Sequence, residues 1–211
     1  MRQTLKNIIK NNLYMIRHQI NNYIDKKNKY VILLYHRILD NEIDDPVNNY
    51  LLTDEFYEQI KFLNQNYEII PFNKLEDRSK DKDIKIIITF DDGYKDNFIN
   101  AFPLLKEKNL SAIFFVLVNY INSNKLIWDR LLCKLIVYSI FNKKVFKIVH
   151  NKKIIFNKNY RNNNFNIEIW KIIGFLKTLN INEINYIIDD IKNQIGYDHH
   201  NIIENECMNW N

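Results

Sequence analysis

The residues with the clearest chemical potential are two adjacent carboxylates, Asp91 and Asp92, in the stretch Ile86-Ile87-Ile88-Thr89-Phe90-Asp91-Asp92-Gly93-Tyr94. A strongly apolar run ends in two acids, then in one of the chain's three glycines, then in a helical pattern. Neighbouring carboxylates repel, and a cation, a shared proton or good solvation must offset the repulsion. On an extended backbone consecutive side chains point in different directions, so one acid can hold a metal while the other faces a substrate. Gly93 permits a positive φ or a close backbone approach directly behind the pair. Asp pairs also make turns and cap helices, and that reading stands beside the catalytic one. Placement favours a site, because ligands in parallel α/β folds bind where strand carboxyl ends and helix N-termini converge.

The elements that must position the pair are legible on either side. Tyr30–Tyr35 is a continuous apolar run short enough for a buried strand, and His36 sits at its end, where it can line the same mouth or serve as a hydrogen-bonded structural residue. Thr53 offers an N-cap to a helix with Asp54 and Glu55 in its first turn and Phe56, Ile60 and Leu63 as its buried stripe. Tyr67–Ile70 reads as a second strand ended by Pro71, and Lys85–Phe90 as a third. A helix over 94–108 carries Phe98, Phe102 and Leu105 on one face, with Pro103 bending it, and Ala112–Val118 is a fourth strand. Strands apolar on both faces and separated by helices indicate a parallel sheet covered by helices, so the class is α/β.

Residues 1–29 form a basic amphipathic helix with Ile9, Leu13, Ile16, Ile20 and Ile24 at helical spacing. Packing on the following domain is the expectation, with peripheral membrane contact as the alternative. After residue 125 the pattern becomes mostly helical: Leu126–Phe141, then a hairpin of Val145–Val149 and Ile154–Phe156 turning at Asn151-Lys152-Lys153, then helices at 167–179 and 181–195. No acid occurs between Leu131 and Phe165, which gives a basic face that is either solvated or able to meet a polyanion or an acidic glycan.

Composition bounds the rest. The chain has 211 residues, 46% hydrophobic and 26% charged, with a formal net charge of +5. About a third of it is Asn or Ile, the mark of an AT-rich genome. Two distant cysteines, Cys133 and Cys207, exclude a disulfide scaffold and a Cys-rich zinc module. Without a secretory leader or a long apolar run the expected compartment is the cytoplasm, and the modest charge with no aromatic-basic motif gives no reason to expect nucleic acid.

Thr89-Phe90-Asp91-Asp92-Gly93-Tyr94 resembles the first motif of the polysaccharide deacetylases, the NodB-homology domain. Tyr35-His36-Arg37-Ile38 resembles the first-strand signature of bacterial members, Ala112–Val118 a later strand, and Leu126–Leu131 the entry to a helical insertion found in some of them. The resemblance implies a distorted (β/α) barrel and a metal-dependent hydrolase, normally zinc, that removes acyl groups from N-acylated sugars. It implies that Asp91 is the general base and Asp92 a metal ligand, with His36 and Tyr94 as substrate-binding candidates and a carbohydrate as partner. The implied organisation is an N-terminal helix (1–29), the N-terminal half of the barrel (30–125), a helical insertion (126–206), and the start of the other half (207–211).

One departure is severe. The family completes its metal site with His-x-x-x-His on a later loop, and the five histidines here, His18, His36, His150, His199 and His200, lack that spacing. Met208-Asn209-Trp210-Asn211 resembles the segment that leads into that loop. About a hundred residues of barrel sequence are present, against roughly 250 for a full barrel, so the expectation is a truncated deacetylase with an incomplete metal site. Two other classes stand beside it: a non-catalytic glycan- or partner-binding remnant, and an acidic magnesium pocket of the phosphotransfer type, the latter without a phosphate loop to support it.

Overall fold

The computed structural model describes residues 13–16, 18, 20, 30–47, 49–75, 84–123, 125–158, 165–198 and 206–209. They divide into two compact units, one of 1–42, 50–122 and 206–211, the other of 43–49 and 123–205.

The first unit contains β1 (Tyr30–Tyr35), β2 (Arg37–Leu39), β3 (Tyr50–Leu52), α1 (Thr53–Asn66), β4 (Glu68–Ile69), β5 (Lys85–Phe90), α2 (Phe102–Glu107) and β6 (Ala112–Phe114). β5 is the hub of a parallel sheet. β1 runs along one side from Tyr30↔Lys85 to Tyr35↔Phe90. On the other side β4 pairs with its start and β6 with its end. All six β5 residues are buried, which explains why the strand is apolar without alternation. Its exception, Lys85, places its ammonium 3.4 Å from Glu68 on the neighbouring strand. Among the described residues β1, β4, β5 and β6 form an open sheet, not a closed barrel, and β2 pairs with β3 in a separate parallel ribbon.

Register assigns the faces. Tyr35, Ile86, Ile88 and Phe90 point to the side covered by Phe56, Ile60 and Leu63 of α1 and by Leu104 and Leu105 of α2. Ile32 and Leu34 lie on the opposite face and are 56% and 54% exposed, so β1 is apolar on both faces but covered on only one. At the N-terminus, helical Ile20 is buried in this core and Ile16 packs against it. Those two stripe residues thus take the packing role; Ile9 and Ile24, and with them most of the segment considered for membrane contact, lie outside the described residues.

Three local expectations are corrected. Thr53 is the first residue of α1 and not its cap: its hydroxyl donates to Asp40, while the Glu55 carboxylate accepts the Leu52 N–H at 3.2 Å. The helix before Pro103 contains a π turn at Asn97–Ala101. Proline lacks the N–H for an i−4 bond and its ring crowds that carbonyl, and the wider turn relieves both. The extra residue also rotates the buried face to Asn97, Ala101, Leu104 and Leu105, leaving Phe98 and Phe102 stacked on the exposed side. The fourth strand stops at Phe114, although the Phe115 N–H still bonds the Phe90 carbonyl at 2.8 Å.

The second unit contains α3 (Trp128–Phe141), β7 (Phe146–His150), β8 (Lys153–Lys158), α4 (Phe165–Leu176) and α5 (Ile181–Ile195). The expected hairpin is present, its turn made by Asn151 and Lys152, both at positive φ. α5 begins with an Asn180–Glu183 capping box and ends at Gly196 at φ +65°. Leu132, Leu135, Phe146, Ile173, Ile188 and Ile191 belong to a core separate from that of the first unit. The expected 30–125 domain is interrupted, because Ile43–Asn49 joins this unit. Val47 packs on its core, and the buried Asp45 carboxylate is ion-paired with the Arg130 guanidinium at 2.8 Å.

Removing one partner of a buried ion pair strands the other, so Asp45→Ala is expected to lower stability by about 3–5 kcal/mol in urea denaturation. Asp189→Ala, which breaks an exposed pair with Lys192, is expected to cost less than about 1 kcal/mol.

Candidate active site at the end of the central strand

Phe90 fixes where the paired acids begin. Its ring stacks on Phe114 at 4.8 Å and meets Tyr35 and Phe56 at 5.4 and 5.8 Å. Tyr35 is itself anchored, its hydroxyl donating to Gln59, and burial pushes that hydroxyl well above its ordinary pKa. One rung further, the Asp91 N–H bonds the Tyr35 carbonyl at 2.9 Å, and His36 is the next residue along that strand's exit. Asp91, Asp92 and His36 are all half-buried. The pair lies at the carboxyl end of a buried strand.

The backbone then turns through two left-handed residues, Asp92 at φ +70° and Gly93 at φ +66°. Asp tolerates that region better than most side chains, and Gly enters it without strain. Gly93 is required on a second count, since a Cβ there would lie 3.0 Å from Val116 Cγ1. Positive φ and close approach, alternatives in the sequence, are both realised.

Beyond the turn sits a cluster that the sequence did not single out. Arg37 Nε donates to Asp96 at 2.9 Å, its guanidinium reaches Glu206 at 3.4 Å, and it lies 4.9 Å from the centre of the Tyr94 ring. Asp96 also accepts the Ile38 N–H at 2.9 Å, and Asn100 donates to the Ile38 carbonyl at 2.7 Å. Residues 206–208 run beside the turn: Met208 N–H bonds the Gly93 carbonyl, Lys95 N–H bonds the Glu206 carbonyl, and Cys207 bridges to Tyr94. Tyr94, 3% exposed, is therefore enclosed under Arg37 and not presented at the surface. Arg37 appeared in the sequence only inside the Tyr-His-Arg signature, and no local periodicity could pair it with residues 59 and 169 positions away.

The electrostatics are lopsided. Burial raises the Asp96 carboxyl above its ordinary pKa despite the opposing pull of Arg37 and the Ile38 N–H. Burial pushes the Cys207 thiol up to about 11, with Glu206, Asp92 and Asp96 adding to the rise and Arg37 opposing it. Arg37 thus stands between two carboxylates, Asp96 and Glu206, while Asp92 acts on the neighbouring Cys207. A complete metal site does not follow. Among the described residues no group of three or more His, Cys, Asp or Glu could hold an ion, and two carboxylates fall short of the four donors of a zinc centre. His150 is engaged with Glu183 at 3.3 Å, and His199 and His200 lie outside the described residues.

Residues 78–151, which include the paired acids, match the polysaccharide deacetylase family. That stretch is what the chain shares with the polysaccharide deacetylase family. It is 31% identical over 116 residues to the poly-β-1,6-N-acetyl-D-glucosamine N-deacetylase of Staphylococcus epidermidis, covering 46% of this chain and 39% of that one. It is 32% identical over 99 residues to YxkH of Bacillus subtilis, covering 44% and 33%. The chain thus spans between a third and two fifths of the length of these curated relatives. Among solved structures, a polysaccharide deacetylase from Bacillus cereus is similar at 27% identity over 49% of this chain and 34% of that one, with a TM-score of 0.39. IcaB from Ammonifex degensii is similar at 24% identity over 50% and 48%, with a TM-score of 0.42.

Gly93→Ala is expected to destabilise the first unit by about 1–2 kcal/mol from the left-handed backbone alone, plus the contact with Val116. Urea denaturation of Gly93→Ala with Val116→Ala should recover the part due to Val116 Cγ1 and leave the backbone part with the approaches to Cβ at 3.2 Å and Cα at 3.3 Å.

Proposed function

We propose that this polysaccharide deacetylase family domain acts in hydrolysing the amide of N-acylated sugar units, with Asp91 as the proton acceptor. The four-stranded sheet is in this reading part of a distorted (β/α) barrel, and the carbohydrate lies across the carboxyl ends of its strands. The observation that carries the reading is the delivery of Asp91 and Asp92 from a fully buried strand into a left-handed turn, within the stretch that matches the family. As water adds to the acyl carbonyl, Asp91 takes its proton; the C–N bond then breaks and the proton passes to the departing amine, leaving a carboxylate and a free amino sugar. Asp92 is one carboxylate donor toward a divalent cation, zinc by resemblance; the described residues do not complete its coordination. His36, the residue after β1, is in this reading a substrate contact. Tyr94 supports the turn from beneath Arg37, and a substrate contact for it requires that clamp to move.

A second reading is favoured by the missing third ligand among the described residues: a domain that holds a glycan without turning it over. Acetate release from an N-acetylglucosamine oligomer by the full chain supplied with zinc separates the two. Asp91→Asn is expected to reduce the rate by about 10²–10⁴-fold, the usual contribution of a general base, and Asp92→Asn to raise the zinc concentration needed. Equal rates for Asp91→Asn and the unaltered chain would remove the assignment of the base. No acetate release at any zinc concentration would leave the binding reading in its place.

A further inference from the structure

We propose that the second unit carries a saccharide-binding cleft of its own, between the β7–β8 turn and the start of α5. A cleft of about 550 Å³ opens there, within the ordinary size of small-molecule sites, with Asn151 and Lys152 on the turn side and Asn182, Glu183 and Tyr186 on the helix side.

Both walls are held before any ligand arrives. The turn is set by the consecutive left-handed residues Asn151 and Lys152. On the other side the Asn180 side chain accepts the N–H groups of Asn182 and Glu183 at 3.0 and 3.1 Å, while one Glu183 oxygen accepts the Asn180 N–H at 3.0 Å. The second Glu183 oxygen lies 3.3 Å from His150 Nε2 and ties helix to hairpin. The His150 ring is backed by Phe175.

The chemistry of the lining selects the ligand class. The Asn182 and Glu183 amides are already taken by Asn180, and among the described residues the lining holds one lysine, Lys152, and one carboxylate, Glu183, so a polyanion finds little net attraction despite the basic sequence around it. An uncharged polar ligand fits better. Asn151 and Asn182 each offer an amide donor and acceptor, the complement of an acylamino group, and among the described residues neither side chain has a hydrogen-bond partner. Tyr186, 73% exposed, presents an apolar ring with a polar tip, which suits a sugar's C–H face and hydroxyl rim. The choice of an N-acylated sugar rests on the proposed deacetylase reading; the cleft itself does not.

The test is an amide-resolved NMR titration of the full chain carrying Asp91→Asn, with tri-N-acetylchitotriose, cellotriose and inorganic phosphate as probes. Tri-N-acetylchitotriose is expected to shift amides of residues 149–152 and 180–187. Tyr186→Ala should weaken that binding about tenfold, or 1.4 kcal/mol, and Tyr186→Phe should retain most of it. No shift in those two segments, or tighter binding of phosphate there, would overturn the cleft; equal binding of cellotriose would overturn its preference for an acylamino group. The readout is binding at those two segments and not turnover, so a failed acetate assay leaves this result unaffected.

Discussion

A single buried guanidinium holds the site loop together. Arg37 is the counter-charge for Asp96 and Glu206 and the cover over Tyr94, so the segments around residues 37, 94–96 and 206 meet on one side chain. An unpaired charge in that position would be costly, and each partner therefore needs the others. The left-handed turn at Asp92 and Gly93 depends on this arrangement. Its carbonyl is bonded by Met208, whose segment is in turn fixed through Glu206. On the upstream side the constraint is packing: Phe90, wedged among three aromatic rings, sets the position from which Asp91 departs. Rigid packing before the acids and a charged clamp after them leave the pair between two fixed points.

The chemistry expected of the pair follows from this asymmetry. Asp91 continues the strand and keeps its backbone bond to β1, while Asp92 is turned through the left-handed region away from that direction. Adjacent carboxylates thus acquire different surroundings without any separation in sequence, which is what a base and a cation donor require.

Much of this was legible where the deciding physics is local. β5 was readable end to end because burial on both faces removes polar alternation, and the β7–β8 hairpin because Asn and Lys at the turn interrupt two apolar runs. Two of the three glycines sit at positive φ, as their scarcity suggested, and Asn109, Asn122 and Asn151 fill other left-handed positions that glycine would otherwise take. Non-local effects were not readable. The π turn follows from Pro103, but its rotation of the buried face from Phe98 to Asn97 needs the core to be seen. Ile43–Asn49 looks like an ordinary loop until Asp45 meets Arg130. The paired acids were found by type and placement, whereas the clamp behind them depends on contacts across 59 and 169 positions, which no spacing rule records.

The most direct measurement of the clamp uses Cys207, buried beside it, with Cys133 in the other unit as an internal reference. Burial raises both thiols, to about 11 and about 12, so both should alkylate slowly in the native chain. If Arg37 holds residues 206–208 against the turn, Arg37→Met should speed iodoacetamide labelling of Cys207 by at least about tenfold, the equivalent of 1.4 kcal/mol, while Cys133 keeps its rate. Unchanged labelling of Cys207 in that variant would contradict the account.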